Sequence, residues 1–320
     1  MERIPLWIDC DTGIDDALAL LLATATPEAQ LLGVSTVAGN CSLEDATANT
    51  LGVLALADAN DIPVHAGASQ PLAEPLHLAP SIHGTDGLGG LRPMLPALRR
   101  RATSLSAVEA VRRACHEHAR HLVLVATGPL TNLALAVASD RALVEMVSRV
   151  VVMGGAVRVP GNVGPNAEFN IATDPEAARI VLTAGWPLTL VPLDVTMRVR
   201  MGAKDTATLR KQGPAAAFCA DALAFYQEAY RPELGMRAAP MHDPLAVAVA
   251  LDPRLVATED LPLSVETRGE FTRGSVVVDR RPRTRQESVA IGPLTRICVA
   301  VDAHAARQRL LRSWGGLSAG

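Results

Sequence analysis

The sequence predicts an α/β protein with a mostly parallel, open sheet and helices on both faces, arranged as a single domain over residues 1–320. Short apolar runs alternate with longer helical patterns along most of the chain, which is typical of successive βα units. The apolar runs are continuous, as in strands that are buried on both faces. Hydrophobic residues make up 49% of the chain, enough for one large core. No internal repeat or linker divides it.

The predicted elements follow one another in a regular order. The first two strand–helix pairs are "IPLWID" with "DDALALLLATA" and "LLGVSTVAGN" with "SLEDATANTLGVLALADA". Ser42 and Asp45 have the spacing of a capping box and mark the start of the second helix. A third pair is "HLVLVATG" with "TNLALAVA". Further strands, rich in β-branched residues, are predicted at "VSRVVVMGG", "PLTLVPLDV" and "TRICVAVDA".

Three local features complete this prediction. Asp174 precedes Pro175, which indicates a helix with an aspartate N-cap and proline in its first position. Asp194 ends a predicted strand, and we assign it no ligand role. The segment "LSVETRGEFTRGSVVVDRR" breaks the βα alternation and predicts an antiparallel hairpin added late in the chain.

Composition excludes several classes of function. The net charge of −3 gives no electrostatic basis for binding nucleic acid or an anionic membrane. The five cysteines are scattered, without a CxxC pair, which favours reduced thiols in a cytoplasmic protein. The first residues, "MERIPLWIDCDTG", lack the pattern of a signal peptide, and no uncharged apolar stretch approaches the span of a bilayer.

The stretch "WIDCDTGIDDALALLL" concentrates four aspartates, Asp9, Asp11, Asp15 and Asp16, in eight positions. Two carboxylates about 4 Å apart repel each other by roughly 4 kcal/mol at an effective dielectric of about 20. A bound cation would relieve that repulsion in a buried turn, and oxygen ligands favour Ca²⁺ or Mg²⁺ over zinc. The alternative is that Asp15 and Asp16 are favourable charges at a helix N-terminus. That alternative leaves Asp9 and Asp11 unexplained.

Polar residues recur where the predicted strands end. Asp9 and Asp11 end the first strand, Asn40 the second, Thr127 the third and Met153 the fourth. Open α/β sheets bind ligands in the crevice beyond the carboxyl ends of their strands. The pattern therefore predicts a binding site at that edge. Ordinary loop positions would explain one or two of these residues, but less well the whole set.

These motifs resemble those of the nucleoside hydrolases, the inosine-uridine preferring N-ribohydrolases. "DCDTGIDDALAL" is similar to the DxDxxxDD signature of that family. The similarity continues in order through "VAGN", "IHGTDGLGG", "ATGPLTNLALA", "MGGAV", "GNVGPNAEFNIATDPEAA", "DVT", "MHDPLAVA" and "VETRGEFTRGSVVVDRR". It covers nearly the whole chain.

The resemblance implies a Ca²⁺ ion held by Asp11, Asp16, Asp243 and the backbone carbonyl of Thr127, with water and two ribose hydroxyls completing its shell. The residues implied to bind ribose are Asp15, Asn40, Asn162, Glu168 and Asn170, with Met153 lining the sugar. Asp9 lies one pleat from Asp11 on the same strand face, so we expect it to orient Asp11. Turn positions for the two distal asparagines and a surface position for the glutamate remain alternatives.

The implied reaction is hydrolysis of an N-glycosidic bond, with Asp11 as general base toward a metal-activated water. His242, directly before Asp243, is expected to protonate or hydrogen-bond the leaving base. His83 is expected to face the sugar or the base. Tyr226 and Tyr230 share one helix face, and a base contact and core packing are equally good explanations for either.

The resemblance also implies a homodimer or homotetramer acting on a small-molecule nucleoside. The tyrosine and histidine pattern favours broad inosine-uridine specificity over strict pyrimidine preference. Met197 follows "DVT" at a position where relatives often carry histidine, and we assign it no role.

Two other functions are considered. A haloacid dehalogenase-like phosphatase would use Asp9 as nucleophile, Asp11 as acid/base and Mg²⁺ as metal. That family usually has Gly-Thr after its DxD pair, whereas this chain has Thr12-Gly13, and Asp15 and Asp16 have no place in it. The second is a non-catalytic nucleoside-binding protein on the same fold. The presence of every expected ligand argues against it.

Overall fold

The computed structural model describes residues 3–281 and 291–317. The strands are β1 (Ile4–Cys10), β2 (Ala29–Thr36), β3 (Val64–Ala66), β4 (Val123–Ala126), β5 (Arg149–Met153), β6 (Leu188–Val191), β7 (Arg200–Gly202), β8 (Ala238–Pro240), β9 (Val256–Val265), β10 (Val276–Val278) and β11 (Leu294–Val301). The helices are α1 (Ile14–Ala25), α2 (Leu43–Leu56), α3 (Pro80–His83), α4 (Ala107–Glu117), α5 (Thr131–Ser139), α6 (Leu143–Met146), α7 (Phe169–Thr173), α8 (Pro175–Leu182), α9 (Leu193–Thr196), α10 (Ala203–Leu209), α11 (Pro214–Ala229), α12 (Arg231–Leu234), α13 (Asp243–Leu251) and α14 (Ala303–Gly315). Two short 3₁₀ turns lie at Arg92–Met94 and Pro253–Leu255.

A nine-stranded sheet forms the centre of the molecule, in the order β10-β9-β11-β6-β5-β4-β1-β2-β3. The seven strands from β11 to β3 in this order pair in parallel. The predicted fold class is confirmed. Strands β5, β4, β1 and β2 are consecutive in this order and parallel, so their carboxyl ends meet at one edge of the sheet.

The predicted late hairpin is confirmed as the antiparallel pair β9–β10, in which Val265 lies opposite Val276. Strand β9 begins at Val256 and also pairs antiparallel with β11. The hairpin therefore extends the edge of the main sheet. A separate two-stranded sheet pairs β7 with β8, which brings the chain toward the start of α13.

The side chains of β1 show how the sheet is covered on both faces. Leu6 and Ile8 point into a core that includes buried residues of α1, α11, α13 and α14. Trp7 points the other way, into a core with buried residues of α4, α5 and α8. Burial on both faces explains why this strand is continuously apolar rather than alternating.

Helix-start signals in the sequence correspond to observed caps. The Ser42 hydroxyl accepts the Asp45 N–H at 3.1 Å, and the Asp174 carboxylate accepts the Ala177 N–H at 3.0 Å. Both predicted starts are confirmed.

The sixth strand ends earlier than predicted. Strand β6 stops at Val191, and Pro192 lacks the N–H needed to continue the ladder. Asp194 consequently lies in helix α9, not at a strand end. Its carboxylate accepts the N–H groups of Val157 and Arg158 at 2.9 and 2.8 Å, so it fixes the loop after β5.

Two global properties bear on the environment of the protein. Within the described part of the chain, every helix is too short or too polar to cross a membrane. All five cysteines are free and buried.

Candidate active site

The carboxyl ends of the central strands form the floor of a cavity of about 260 Å³. Its lining includes Asp15, Asn40, His83, Thr127, Met153, Asn162, Glu168, Asn170, Tyr226, Tyr230, His242 and Asp243. Twelve of the fifteen residues predicted for the site thus line one cavity. The other three, Asp9, Asp11 and Asp16, are buried at the end of β1 and the start of α1.

Hydrogen bonds hold Asp11 and Asp16 in one network below the cavity. The Asn40 backbone N–H donates to Asp11 Oδ2 at 2.6 Å. The Asn40 side-chain amide donates to Asp11 Oδ1 at 3.2 Å and to Asp16 Oδ2 at 3.1 Å. Asp16 also accepts the Gly13 N–H at 2.9 Å and the Thr127 hydroxyl at 2.7 Å. Donors from three places in the chain, Gly13, Asn40 and Thr127, therefore fix these two carboxylates.

Two glycines allow the chain to close tightly around Asp11. A Cβ atom at Gly39 would collide with Asp11 Oδ2, and one at Gly128 would lie 2.9 Å from Asp11 Oδ1. Both glycines belong to loops that follow strands, "VAGN" after β2 and "ATG" after β4. The backbone can approach the carboxylate this closely only because these positions lack side chains.

Asp15, Asp16 and Asp243 form a buried acidic cluster, with one oxygen from each lying within 4.8 Å of the others. Burial raises the pKa of Asp15 to about 7 and raises the pKa values of Asp16 and Asp243 above their usual range. Repulsion between carboxylates raises the pKa of Asp15 and Asp243 further. Within the described part of the chain, Asp15 Oδ1 is buried, accepts no hydrogen bond and lies 3.9 Å from His83 Nδ1. The cluster could bind a metal ion, whose charge would offset this repulsion.

The predicted ligand set overlaps with this cluster but differs from it in membership. Asp16 and Asp243 belong to both sets. Asp15, predicted to bind ribose, is in the cluster, whereas Asp11 is joined to it through Asn40 and Asp16. The Thr127 carbonyl faces the same region and accepts the Asn170 amide at 2.6 Å. All these donors are oxygens, the chemistry that hard divalent cations prefer.

Asp9 makes contacts different from the predicted ones. Its Oδ1 accepts hydrogen bonds from the Ser35 hydroxyl and from Asn132 Nδ2, the latter at 2.8 Å, and none from Asp11. Its Oδ2 is buried and unpartnered, and burial raises the pKa of Asp9 to about 7. The Asp9 carbonyl accepts the Thr127 N–H at 2.8 Å. Asp9 therefore positions neighbouring strands and, through them, the Thr127 carbonyl.

The loop and short helix after β5 supply the remaining polar side chains. Glu168 caps α7: its two oxygens accept the N–H groups of Asn170, Ile171 and Gly155 at 2.9 to 3.2 Å. Asn162 accepts the Phe169 N–H at 2.9 Å and is exposed at the cavity edge. Asn170 donates to the carbonyls of Thr127 and Met153. Glu168 and Asn162 thus shape the loop that presents Asn170.

A hydrogen-bonded row of hydroxyl and imidazole groups lines another part of the cavity, beginning next to the floor at Asp15. The Tyr226 hydroxyl donates to Asp15 Oδ2 at 2.9 Å. Tyr230 Oη lies 3.0 Å from His242 Nε2, and His242 Nδ1 lies 2.8 Å from the Thr196 hydroxyl. The two tyrosine rings meet edge to face at 4.9 Å. Both tyrosines line the cavity and pack against its walls at once.

The two cavity histidines are buried and differ in their partners. His83 Nδ1 accepts the Ile14 N–H at 3.1 Å, and its ring lies 5.6 Å from that of Tyr226. Burial lowers the pKa of His83 to about 3 and that of His242 to about 4. Both rings are therefore neutral at pH 7 in this arrangement, and His83 carries its proton on Nε2.

Several residues of the site were not predicted from the sequence. Asn132 and Thr196 hold Asp9 and His242, and the cavity wall also includes Leu78, Ile82, Val163, Phe169 and Glu233. Ile82 precedes His83, and Glu233 follows Tyr230 by three positions. Both could have been predicted as neighbours of site residues. Asn132 and Thr196 lie within the matching motifs "ATGPLTNLALA" and "DVT", but their partners could not be read from the sequence.

A carboxylate floor and an aromatic end within one cavity suit an enzyme that holds a polar, hydroxyl-rich group at one end and a planar ring at the other. The comparison with known families identifies that enzyme class. The chain belongs to the family described as inosine-uridine preferring nucleoside hydrolase, whose sequence pattern matches residues 6–308.

Individual relatives agree with this assignment. The pyrimidine-specific ribonucleoside hydrolase RihA of Photobacterium profundum is 43% identical over 278 residues, 86% of this chain and 89% of that protein. Among solved structures, the plant nucleoside hydrolase PpNRh1 matches with a TM-score of 0.92 and 31% identity, covering 98% of this chain and 99% of that one. The purine-preferring ribonucleoside hydrolase from Gardnerella vaginalis matches with a TM-score of 0.91 and 33% identity, covering 98% of both chains.

The enzyme class predicted from the sequence is therefore confirmed. The protein is a nucleoside hydrolase, an enzyme acting on N-glycosyl bonds. The phosphatase alternative is not favoured, since the family match spans the described sheet and the loops of the site.

Proposed function

We propose that this enzyme hydrolyses ribonucleosides to ribose and free base in a Ca²⁺-dependent reaction. One observation carries the proposal: a buried cluster of three carboxylates, with Asp15 Oδ1 unpartnered, forms the floor of a cavity whose far end is aromatic. The floor has the chemistry to hold a cation and a diol, and the aromatic end has the chemistry to hold a base.

The residues proposed to hold the ion are Asp11, Asp16, Asp243 and the Thr127 carbonyl, with Asp15 beside them. Ca²⁺ suits this set because it accepts many oxygen ligands in irregular geometry. When bound, the ion would supply positive charge that offsets the carboxylates and acidifies the attacking water.

Asp11 is proposed to act as general base. The water adds its oxygen to the anomeric carbon of ribose while the bond to the base nitrogen breaks, and its proton passes to Asp11. Asp11 Oδ1 is the better acceptor, because Oδ2 receives the shorter hydrogen bond from the Asn40 backbone. The buried carboxylates would stabilise the positive charge that develops on the sugar.

The ribose is proposed to lie over Asp15, Asn40 and Asn170. Asp15 Oδ1 can accept a hydrogen bond from a ribose hydroxyl. Asn170, at the start of a helix, lines the cavity beside it. Asn162 and Glu168 support this grip by fixing the loop. Met153 lines the same wall.

The leaving base is proposed to lie against Tyr226, Tyr230 and His83, with His242 assisting its departure. The base nitrogen released from ribose must gain a proton. The His242–Tyr230 contact of 3.0 Å lets the neutral imidazole donate its Nε2–H to the Tyr230 hydroxyl, whose own hydrogen can then bond to the departing nitrogen while solvent supplies the proton. The Thr196 hydroxyl fixes the other ring nitrogen.

Nucleosides, rather than nucleotides, are the proposed substrates. Among described residues, those lining the cavity include Asp15, Glu168, Glu233 and Asp243 but no lysine or arginine. A phosphate group would enter this acidic cavity without a counter-ion, at an electrostatic cost. The names of the relatives point to pyrimidine bases in one case and purine bases in another. We propose that both kinds are hydrolysed.

The decisive experiment compares ribose release from a panel of purine and pyrimidine nucleosides with phosphate release from the matching nucleotides. Reducing-sugar formation from nucleosides alone, lost on chelation and restored by Ca²⁺, is the expected result. Phosphate release without sugar release would favour a phosphatase. Nucleoside binding without any turnover would favour a non-catalytic binding protein.

Two broader proposals accompany this function. We propose a cytoplasmic location, supported by five buried free thiols, which reducing compartments preserve. We also propose a homodimer or homotetramer, which light scattering on the purified protein would test.

A further inference from the structure

Glu233 is a carboxylate of the cavity that neither the proposed metal site nor the proposed reaction uses. It lies in the short helix α12, three residues after Tyr230, and lines the same cavity as Tyr230 and His242. Its charge acts on the Tyr230 hydroxyl, so Glu233 lies close to the aromatic end of the cavity. The side chain is exposed at the mouth of the cavity.

Neighbouring arginines leave Glu233 without a partner. Arg231 and Arg237 flank it in the sequence, and both form ion pairs with Glu228. Within residues 3–281 and 291–317, Glu233 forms neither a hydrogen bond nor an ion pair through its side chain. Partial burial raises the pKa of Glu233 above its usual value, against an opposing effect of Arg200, while the side chain as a whole is exposed.

The carboxylate of Glu233 is the main charged group available to a bound base at this end of the cavity. The cavity is also lined by the apolar Leu78, Ile82, Val163 and Phe169 and by the polar Ser81 and Asn162, and none of these side chains carries a charge. Tyr226 and His242 already have partners deeper in the cavity. A base whose ring lies against the tyrosines would direct its outer edge toward the mouth, where a lone carboxylate can only accept hydrogen bonds.

We propose that Glu233 is a specificity-determining residue that accepts a hydrogen bond from an exocyclic amino group of the base. The enzyme then prefers cytidine over uridine and adenosine over inosine. In each pair the first base presents an N–H₂ donor where the second presents a carbonyl oxygen, which a carboxylate repels. This inference depends on the proposed nucleoside hydrolysis, and it adds a base preference that the reaction itself does not require.

The test measures kcat/KM of the wild type, Glu233→Gln and Glu233→Lys on the four nucleosides. Glutamine offers both a donor and an acceptor, so Glu233→Gln should reduce the cytidine-to-uridine and adenosine-to-inosine ratios by about threefold to tenfold, mainly through KM. Glu233→Lys should reverse the preference, since an ammonium group donates to the carbonyl. Added salt should weaken the wild-type preference, because the carboxylate is exposed.

A matched control is Glu145→Gln, which removes the charge of an exposed glutamate outside the cavity and should leave both ratios unchanged. Since Glu233 is exposed, the variants should keep the wild-type Tm, which thermal denaturation checks. Unchanged ratios in Glu233→Gln and Glu233→Lys, with an active wild type, would overturn the role of Glu233 alone. A wild type that hydrolyses none of the four nucleosides would overturn the proposed function and this inference together.

Discussion

The two ends of the cavity are built in different ways. The carboxylate floor comes mainly from one strand–turn–helix segment, residues 9–16, and its side chains are fixed by hydrogen bonds from Asn40, Gly13 and Thr127. The aromatic end comes from α11, α12 and the start of α13, and its outer residue Glu233 has no partner in the described part of the chain. A floor whose side chains are fixed suits the ribose, which is common to all substrates. An end that contains an unpartnered side chain suits the base, which varies between substrates.

The largest expected effect is at the floor. Asp11→Asn should reduce kcat by about 10³-fold or more, because an amide keeps the shape of the side chain but cannot take a proton from water. Steady-state kinetics on a purine and a pyrimidine nucleoside measure the loss, and circular dichroism checks the fold. Asp58→Asn, at an exposed position, is the control. Retention of more than about a tenth of the wild-type kcat, a loss below roughly 1.4 kcal/mol, would contradict the base assignment.

A smaller and selective effect is expected at the aromatic end. His242→Ala should lower kcat on inosine by about 10²-fold, the lower end of the range for acid–base assistance, because a neutral imidazole helps the base to leave through a hydrogen bond. A nitrophenyl riboside releases a stable anion, so its hydrolysis should change little. Asn170→Ala, by contrast, should impair both substrates alike, since both carry the same ribose. Equal losses on both substrates for His242→Ala would show that this histidine supports Asp243 instead.

The two ends also differ in how far the sequence predicts their residues and contacts. Four aspartates within one short turn are visible as a local pattern, and the positions that follow other strands converge because parallel strands end at one edge. Partners of individual side chains depend on tertiary contacts. Asp9 bonds to Asn132, which is 123 residues away, and no spacing rule connects them.

At two other positions, Asp194 and Glu168, a local structural effect competes with the sequence pattern behind the prediction. The apolar run before Asp194 predicted a longer strand, but Pro192 ends the ladder and a helical turn follows. Glu168 is predicted to face ribose; it lines the cavity, and both of its oxygens also accept backbone N–H groups of the next helix. A carboxylate directly before a helix commonly caps it, so a structural role competes with binding at such positions.

Ca²⁺ should stabilise the floor measurably. At a free concentration about 100 times Kd, binding adds roughly 2.7 kcal/mol to the free energy of unfolding, which corresponds to a rise in Tm of several degrees. Differential scanning calorimetry of chelated protein with and without Ca²⁺ measures this shift. Asp243→Asn should reduce it, whereas Glu233→Gln should not. An active protein that contains no stoichiometric metal and shows no shift would contradict the proposed Ca²⁺ site.

The smallest effects should come from single hydroxyl groups, and they test where the two ends meet. Tyr226 donates to Asp15 at 2.9 Å, so it joins the aromatic end to the floor, while the Tyr230 hydroxyl lies 3.0 Å from His242 Nε2. Tyr226→Phe should lower kcat/KM by about tenfold, roughly 1.4 kcal/mol, on both inosine and the nitrophenyl riboside, because Asp15 loses a donor and its charge is less well held over the ribose. Tyr230→Phe should produce a loss of similar size on inosine and almost none on the riboside, since only base departure is affected. Phenylalanine keeps the ring and its packing in both variants, so each serves as the control for the other, and kcat/KM on the two substrates is the measurement. If Tyr226→Phe affected inosine only, the Asp15 contact would have no part in binding ribose, and Tyr226 would belong wholly to the base end.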